Sequence, residues 1–175
     1  MKIKGLIGEP AAGKSTVMKK LIETLGEGEI VKEGLVVYTQ YSDDKVMIAG
    51  KYEPGEVFCG TDKLSKGCGP KYREWLAAKC NDPAYADWTF YWEGERFSNS
   101  KFFDFFYSGE VTEPTIFYLD TDADILDMRN ETRSNQNETW RKGMRTRMHN
   151  LRDRYPVTIV TQGFTFTGSI PKVTL

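Results

Sequence analysis

The chain has 175 residues, a formal net charge of −1 and 28% charged residues, which fits one domain, residues 1–175, and argues against a separate substrate domain. Its three cysteines share no C-x-x-C spacing and it has a single histidine, so neither a disulfide framework nor a zinc site is indicated. No apolar run approaches the ~20 residues that span a bilayer, and the amino terminus lacks a secretory signal. We therefore expect no membrane partner and a location in the reducing cytoplasm.

The first predicted elements are a short apolar strand at residues 3–7, a glycine-rich loop, and a helix that ends at Gly26. The loop reads G-x-x-x-x-G-K-S, the phosphate-binding pattern of P-loop NTPases. In such loops the backbone amides face the phosphates, the lysine reaches the β and γ groups, and the serine hydroxyl binds magnesium. The pattern predicts ATP and Mg²⁺ as cofactors, Lys14 as a catalytic residue and Ser15 as a metal ligand. The predicted nucleotide-binding residues are Gly8, Glu9, Pro10, Ala11, Ala12, Gly13, Lys14, Ser15 and Thr16.

Residues 35–41 and 45–52 are two β-prone runs with a polar turn between them, which predicts a small hairpin inserted after the first helix. A glycine-rich stretch follows at residues 60–69, and Pro70 is expected to open the next helix. Asp62 lies in this stretch and has two open interpretations. Its side chain either caps a helix or forms an Asx turn, or it acts as a substrate-binding and catalytic carboxylate.

Residues 87–92 predict a second core strand, which ends in Glu93-Gly94-Glu95-Arg96. A carboxylate at the carboxyl end of a strand beside the phosphate loop can orient magnesium or accept a proton from an attacking hydroxyl. Glu93 is the first choice for this catalytic and metal-binding role. Arg96 could hold a substrate phosphate or carboxylate through its planar guanidinium. The alternative for the whole turn is a solvated surface loop.

A phenylalanine-rich helix capped by Ser98 or Asn99 comes next, and residues 115–119 and 157–160 predict two more buried strands. Between those strands a helix carries an apolar stripe. Its members are Trp140, Met144, Met148 and Leu151. The loop at residues 161–164 could lie against an adenine ring. Alternating strands and helices predict a mainly parallel sheet with helices on both faces.

Residues 129–154 hold seven arginines and one lysine against three acids, an excess of five positive charges. Arginines on a closing lid stabilise the charge of a transferring phosphoryl group. We therefore predict a lid at about residues 129–147, with Arg129 and Arg133 catalytic and Arg141 and Arg145 binding substrate. Two alternatives remain open: an ordinary solvated basic face, and contacts with the phosphate backbone of a nucleic acid.

With these motifs the chain resembles the nucleoside monophosphate kinase branch of the P-loop kinases. The resemblance implies a three-layer α/β sandwich with a five-stranded, mainly parallel sheet in 2-3-1-4-5 order and an arginine-rich lid. It also implies that Lys14 and Ser15 hold ATP and magnesium and that Arg96 binds the acceptor phosphate. Two features depart from that pattern: Glu93 stands where aspartate is usual, and a hairpin stands where an acceptor-binding helix is expected.

A closer resemblance is to phage-encoded P-loop kinases that phosphorylate the hydroxymethyl group of 5-hydroxymethyluracil in DNA. The similar segments are Gly50-Lys51-Tyr52, Gly60-Thr61-Asp62 with Leu64-Ser65, Glu93-Gly94-Glu95-Arg96 with Asn99, and residues 136–150. This resemblance implies that the acceptor is a modified base in DNA and that the protein acts in the host cytoplasm. One of Trp75, Trp88, Trp92 and Trp140 could then stack on an extruded base, although most of these rings are more simply core.

Two other functions remain as hypotheses. One is a deoxynucleoside monophosphate kinase that acts on free nucleotides. The other belongs to a different class, a nucleotide-gated binding module that hydrolyses slowly and acts through a partner.

Overall fold

A central sheet of seven strands organises the computed structural model, which describes residues 1–52, 59–131 and 137–166. The strands are β1 (Lys2–Ile7), β2 (Glu29–Glu33), β3 (Val36–Tyr41), β4 (Val46–Ala49), β5 (Thr89–Glu93), β6 (Thr115–Leu119) and β7 (Thr158–Val160). The α-helices are α1 (Lys14–Leu25), α2 (Cys68–Asn81), α3 (Ser100–Phe106), α4 (Ala123–Glu131) and α5 (Glu138–Arg154). Across the sheet the order is β2-β3-β4-β5-β1-β6-β7.

Five of these strands run parallel, in the order β4-β5-β1-β6-β7. Numbered along the chain among themselves, they follow the predicted 2-3-1-4-5 arrangement, but the prediction of five strands in all is wrong. β2 and β3 extend one edge of the sheet in antiparallel pairing. The sequence pattern does not predict β2 because four of its five residues are exposed, which leaves no buried face to produce an alternating pattern.

The predicted hairpin exists as β3 and β4, but it is not an insertion beside the sheet. β4 pairs with β3 in antiparallel fashion and with β5 in parallel, so it is the second strand of the parallel core. All four of its residues are buried, as expected for a strand that is covered on both faces.

Helices cover both faces of the sheet and produce the predicted three layers. On one face α1 packs its apolar side, and on the other lie α2, α3 and α5. Side chains of β5 alternate between the two faces of the sheet. Phe90 and Trp92 pack on the side of α2, α3 and α5, and Tyr91 packs on the side of α1. In the described ranges no helix combines the length and the apolar character needed to cross a bilayer.

A side-chain cap marks the start of α3, and a proline lies in the first turn of α2. The Asn99 side chain accepts a hydrogen bond from the Phe102 amide at 3.2 Å, so Asn99, and not Ser98, caps α3. Ser98 instead donates its hydroxyl to the Gly94 carbonyl at 2.7 Å. α2 begins two residues before Pro70, a position where the missing proline N–H costs no helical hydrogen bond.

Close packing around β1 leaves no room for a side chain at Gly5. A Cβ there would lie 2.5 Å from the Trp92 ring and 2.8 Å from Ile116 Cδ1. We expect Gly5→Ala to lower the free energy of unfolding, measured in urea, by about 1–3 kcal/mol, the usual cost of overpacking. The control is Gly143→Ala in α5, where a Cβ meets no described atom within 4 Å; its stability should be unchanged or up to about 1 kcal/mol higher. Equal stability of the two variants would contradict this account of the packing.

Candidate active site

The predicted phosphate-binding loop joins the end of β1 to the start of α1, and its glycines are required by their surroundings. Gly8 has a φ of 153°, and a Cβ there would lie 2.7 Å from the Leu119 carbonyl oxygen. Gly13 has a φ of 101°, in the left-handed region that favours glycine. Within the described residues no side chain caps the start of α1, and its first turn contains no acid. The first backbone N–H groups of α1 are therefore suited to an anion.

The Lys14 side chain crosses the mouth of this loop. Its ammonium group donates hydrogen bonds to the carbonyl oxygens of Gly8, at 2.9 Å, and Glu9, at 2.8 Å. These contacts hold a positive charge at the point where P-loop proteins bind the β and γ phosphates of a nucleotide.

Glu93 ends β5 directly beside the loop, because β5 is hydrogen-bonded to β1 and Glu93 aligns with Leu6. The side chain is almost fully buried. Its Oε1 accepts hydrogen bonds from the hydroxyls of Ser15 and Tyr52, both at 3.1 Å. Burial raises the pKa of Glu93 to about 7, although the Lys14 ammonium and the two hydroxyls act in the opposite direction. The strand thus delivers an acidic group to the serine of the loop.

Ser15 and Glu93 fit a magnesium ion by their chemistry. Mg²⁺ prefers oxygen ligands and, in phosphate-binding sites, uses one or two protein groups together with phosphate oxygens and water. Over the described ranges there is no group of three or more His, Cys, Asp or Glu side chains that could hold a metal by themselves. When bound, the ion supplies positive charge beside the reacting phosphates. The roles of Ser15 and Glu93 as ligands stay predictions.

Asp62 lies opposite the loop, on a 3-10 turn over Thr61–Lys63. Its Oδ1 accepts a hydrogen bond from the Glu95 amide at 2.5 Å, so it joins this turn to the end of β5 and does not cap its own turn. Gly94 permits the approach, since it has a φ of 108° and a Cβ there would lie 2.8 Å from Asp62 Oδ1. Burial raises the pKa of Asp62, against the lowering effect of the Glu95 amide.

Arg96 is held at the edge of this region by groups of the protein. Its Nε donates to the Leu64 carbonyl at 3.2 Å, and its Nη1 lies 3.7 Å from Glu95 Oε2. Arg147 of α5 lies 3.5 Å from the other oxygen of Glu95. The predicted contact of Arg96 with an acceptor phosphate stays a prediction.

One cleft brings together several of the predicted site residues from distant parts of the sequence. Lys14, Ser15, Asp62 and Glu93 line it, together with Glu95 and Ser98. The part of the lining that comes from α5 is apolar. It consists of Trp140, Met144 and Met148. In the predicted stripe of α5 the two methionines and Leu151 are buried, whereas Trp140 is 39% exposed, so its ring faces the cleft and the solvent instead of the core.

Arg129 lies on the other side of the loop. Its Nη1 donates to the carbonyl oxygens of Ala11, at 3.1 Å, and Ala12, at 3.3 Å. It borders a second groove, which Thr16, Lys20 and residues 162–164 also line, so the loop that could lie against an adenine ring is beside the phosphate-binding loop. Arg133 lies outside the described residues. The predicted lid includes the end of α4 and the first half of α5, and its closure stays a prediction.

Arg145 and Arg141 do not line the cleft that contains Asp62 and Glu93. Arg145 Nε donates to Glu9 Oε2 at 2.5 Å, and His149 Nε2 lies 2.8 Å from Glu9 Oε1. Arg141 borders a surface depression next to Glu9 and Pro10. α5 is thereby fastened to the outer side of the phosphate loop.

Two features of the site have no prediction from the sequence. Tyr52 belongs to a segment that resembles the phage kinases, but the sequence assigns no role to its hydroxyl, which donates to Glu93 Oε1. Glu9 contacts Arg145 and His149, which lie 136 and 140 positions further along the chain. A signal existed only for the contacts of Glu9, because an acid within a phosphate-binding loop calls for a basic neighbour.

Comparison with known proteins identifies the family of this chain. The chain matches the family described as P-loop Nucleotide Kinase3 over residues 1–166. A comparison with curated proteins found no match.

The contact between Ser15 and Glu93 predicts a specific magnesium dependence. We expect Glu93→Gln to raise the magnesium concentration needed for half-maximal nucleotide turnover by about tenfold or more, in the range found when groups around a bound metal are replaced. Binding of ATP without magnesium should change little, since the amide keeps the shape of the side chain. Magnesium titrations of steady-state turnover provide the measurement.

Asp62→Asn is the matched control, because the same neutral replacement is made in a carboxylate that does not contact Ser15. Its magnesium requirement should equal that of the unmodified protein, whatever its turnover. A shift in Asp62→Asn with none in Glu93→Gln would show that the metal-binding carboxylate had been assigned to the wrong residue.

Proposed function

Because the chain belongs to the P-loop Nucleotide Kinase3 family, we propose that it transfers the γ-phosphoryl group of ATP to the hydroxymethyl group of 5-hydroxymethyluracil in DNA. The observation that carries the choice of acceptor is the charge of the cleft. Asp62, Glu93 and Glu95 all line it, and both arginines beside Glu95 are engaged, Arg96 with Leu64 and Glu95 and Arg147 with Glu95.

Three carboxylates favour a hydroxyl acceptor over a phosphate acceptor. A monophosphate dianion in the same space would be repelled by them, and it would need an arginine that turns away from its present partners. A hydroxyl has the opposite requirement, since a carboxylate within hydrogen-bonding reach takes its proton as it attacks. The cleft therefore supports a neutral alcohol on the acceptor.

In the proposed reaction Lys14 and the first N–H groups of α1 hold the phosphates of ATP. Ser15 and Glu93 would hold the magnesium ion, which would supply positive charge beside the phosphates. The hydroxymethyl oxygen forms the new bond to the γ-phosphorus while the bond to the leaving ADP oxygen breaks, and the hydroxyl proton passes to Asp62. Glu93 is less suited to receive that proton because its Oε1 accepts two hydrogen bonds, from Ser15 and Tyr52, whereas Asp62 Oδ1 accepts one, from the Glu95 amide. Arg129 is proposed to add positive charge from the opposite side of the loop.

Basic residues of α5 support a polymeric acceptor. Arg147 and Arg154 border an open groove beside Ser100 at the start of α3, and their side chains are 45% and 62% exposed. Each is paired with a carboxylate, Glu95 or Asp104, in an exposed contact that contributes little energy and is readily exchanged. DNA phosphates are suitable replacements for these partners.

A panel of acceptors tests the proposal. The protein is incubated with γ-labelled ATP and either DNA containing 5-hydroxymethyluracil, the same DNA with thymine, or free deoxynucleoside monophosphates with and without the hydroxymethyl group. We expect label in the hydroxymethylated DNA alone. Lys14→Ala, checked for folding by thermal melting, should reduce transfer by about a hundredfold or more.

Other results would replace the proposal. Efficient labelling of free monophosphates without labelling of DNA would establish the deoxynucleotide kinase. ATP binding with slow hydrolysis and no labelled acceptor would favour the nucleotide-gated module.

The groove on α5 predicts how acceptor use depends on salt. We expect Arg147→Gln combined with Arg154→Gln to raise the KM for hydroxymethylated DNA, to reduce the slope of log KM against log salt by about 2, and to leave the KM for ATP unchanged, because each lost phosphate contact removes about 0.9 from the slope. Lys2→Gln combined with Lys32→Gln removes the same charge at exposed positions away from the groove and should leave the slope unaltered. Equal effects of the two pairs would attribute the salt dependence to overall charge.

A further inference from the structure

The four tryptophans of the chain occupy different environments, and one faces the candidate active site. Trp92 is fully buried and Trp75 is 9% exposed, both within the core. Trp88 precedes β5 at the end of that strand remote from Glu93, and it packs against Tyr85 with ring centroids 5.4 Å apart. Trp140 lines the cleft and is 39% exposed.

Trp140 is part of a wall with a distinct chemical character. Met144 and Met148 follow it at four-residue intervals on α5, so the three side chains form one stripe, and all three line the cleft. Asp62 and Glu93 line the same cleft. An aromatic ring in a cleft that also holds polar groups matches a nucleobase, which has an apolar face and a polar edge, and methionine side chains adapt their shape to such a ring.

We propose that Trp140 is the stacking surface for the acceptor base, with Met144 and Met148 extending it. The inference rests on the proposed function and specifies which part of the acceptor the cleft receives. A base stacked on α5 presents its edge, and with it the 5-substituent, to the wall that contains Asp62. The base of ATP has another location available, the groove beside Arg129 and residues 162–164. In duplex DNA the acceptor base must leave the stack to reach a surface enclosed between α5 and the phosphate loop.

The test separates stacking from other contacts by changing both partners. Two single-stranded oligonucleotides are compared, one with 5-hydroxymethyluracil and one with an abasic site at the same position. Binding is measured by fluorescence anisotropy with a non-hydrolysable ATP analogue present, so that the readout does not depend on phosphoryl transfer. The variants are Trp140→Phe, which keeps an aromatic ring, and Trp140→Leu, which keeps only apolar contact.

We expect the unmodified protein to bind the base-containing oligonucleotide about tenfold more tightly than the abasic one, within the range of measured base stacking on aromatic side chains. Trp140→Phe should retain most of that preference and Trp140→Leu should lose it, while all three proteins bind the abasic oligonucleotide equally. An unchanged preference in Trp140→Leu, or equal weakening of both oligonucleotides, would overturn the assignment.

The same comparison distinguishes failure of this inference from failure of the proposed function. If the acceptor panel labels free monophosphates instead of DNA, the variants are tested with the labelled nucleotide. A rise of about tenfold in its KM for Trp140→Leu alone, with the KM for ATP constant, would retain the stacking role although the DNA proposal had failed. No rise in that KM would overturn the stacking role as well.

Discussion

The contact between the Ser15 hydroxyl and the Glu93 carboxylate joins the two halves of the site, and much of the surrounding structure is needed to keep it. A buried carboxylate is costly unless hydrogen bonds compensate for lost water, and here Tyr52 supplies a second donor. Space is equally tight: Gly60 has a φ of 64°, and a Cβ there would lie 2.7 Å from Glu93 Oε1. The parallel pairing of β1 with β5 brings the carboxylate into reach of the loop. Strand order, Gly60 and Tyr52 therefore all support this one contact.

The phosphate loop separates two regions of opposite charge. On the side of α4, Arg129 and Lys20 border a groove with positive character. On the side of β5 the cleft is lined by carboxylates and by the apolar stripe of α5. A phosphoryl group that moves from a polyanionic donor to an alcohol needs such an asymmetry, because positive charge stabilises the donor while a proton must leave the acceptor.

Sequence patterns predicted most of the parallel core and the phosphate loop, because these depend on local signals. The strand before the loop is apolar, the loop has a fixed spacing, and Asn99 lies where a helix cap is required. β2 was not predictable because it is an exposed edge strand. The role of Asp62 depended on a contact with an amide 33 residues away, and neither interpretation of its sequence position included such a bridge. The exposure of Trp140 was also hidden, since its helical spacing is the same as that of the buried methionines.

The contacts of Glu9 with Arg145 and His149 affect which positions of α5 can be replaced during evolution. Trp140 precedes Arg145 by five residues, about 7.5 Å along a helix, so the exposed ring of the proposed stacking surface lies more than one turn before the residues that attach α5 to the phosphate loop, whereas Met144 and Met148 are their neighbours in sequence. Replacements in the first turn can alter the shape of that surface while the attachment stays intact. Replacements at Arg145 or His149 remove contacts to the phosphate-binding loop itself. Variation in acceptor range is therefore expected to accumulate at the amino end of α5, with little change at its middle.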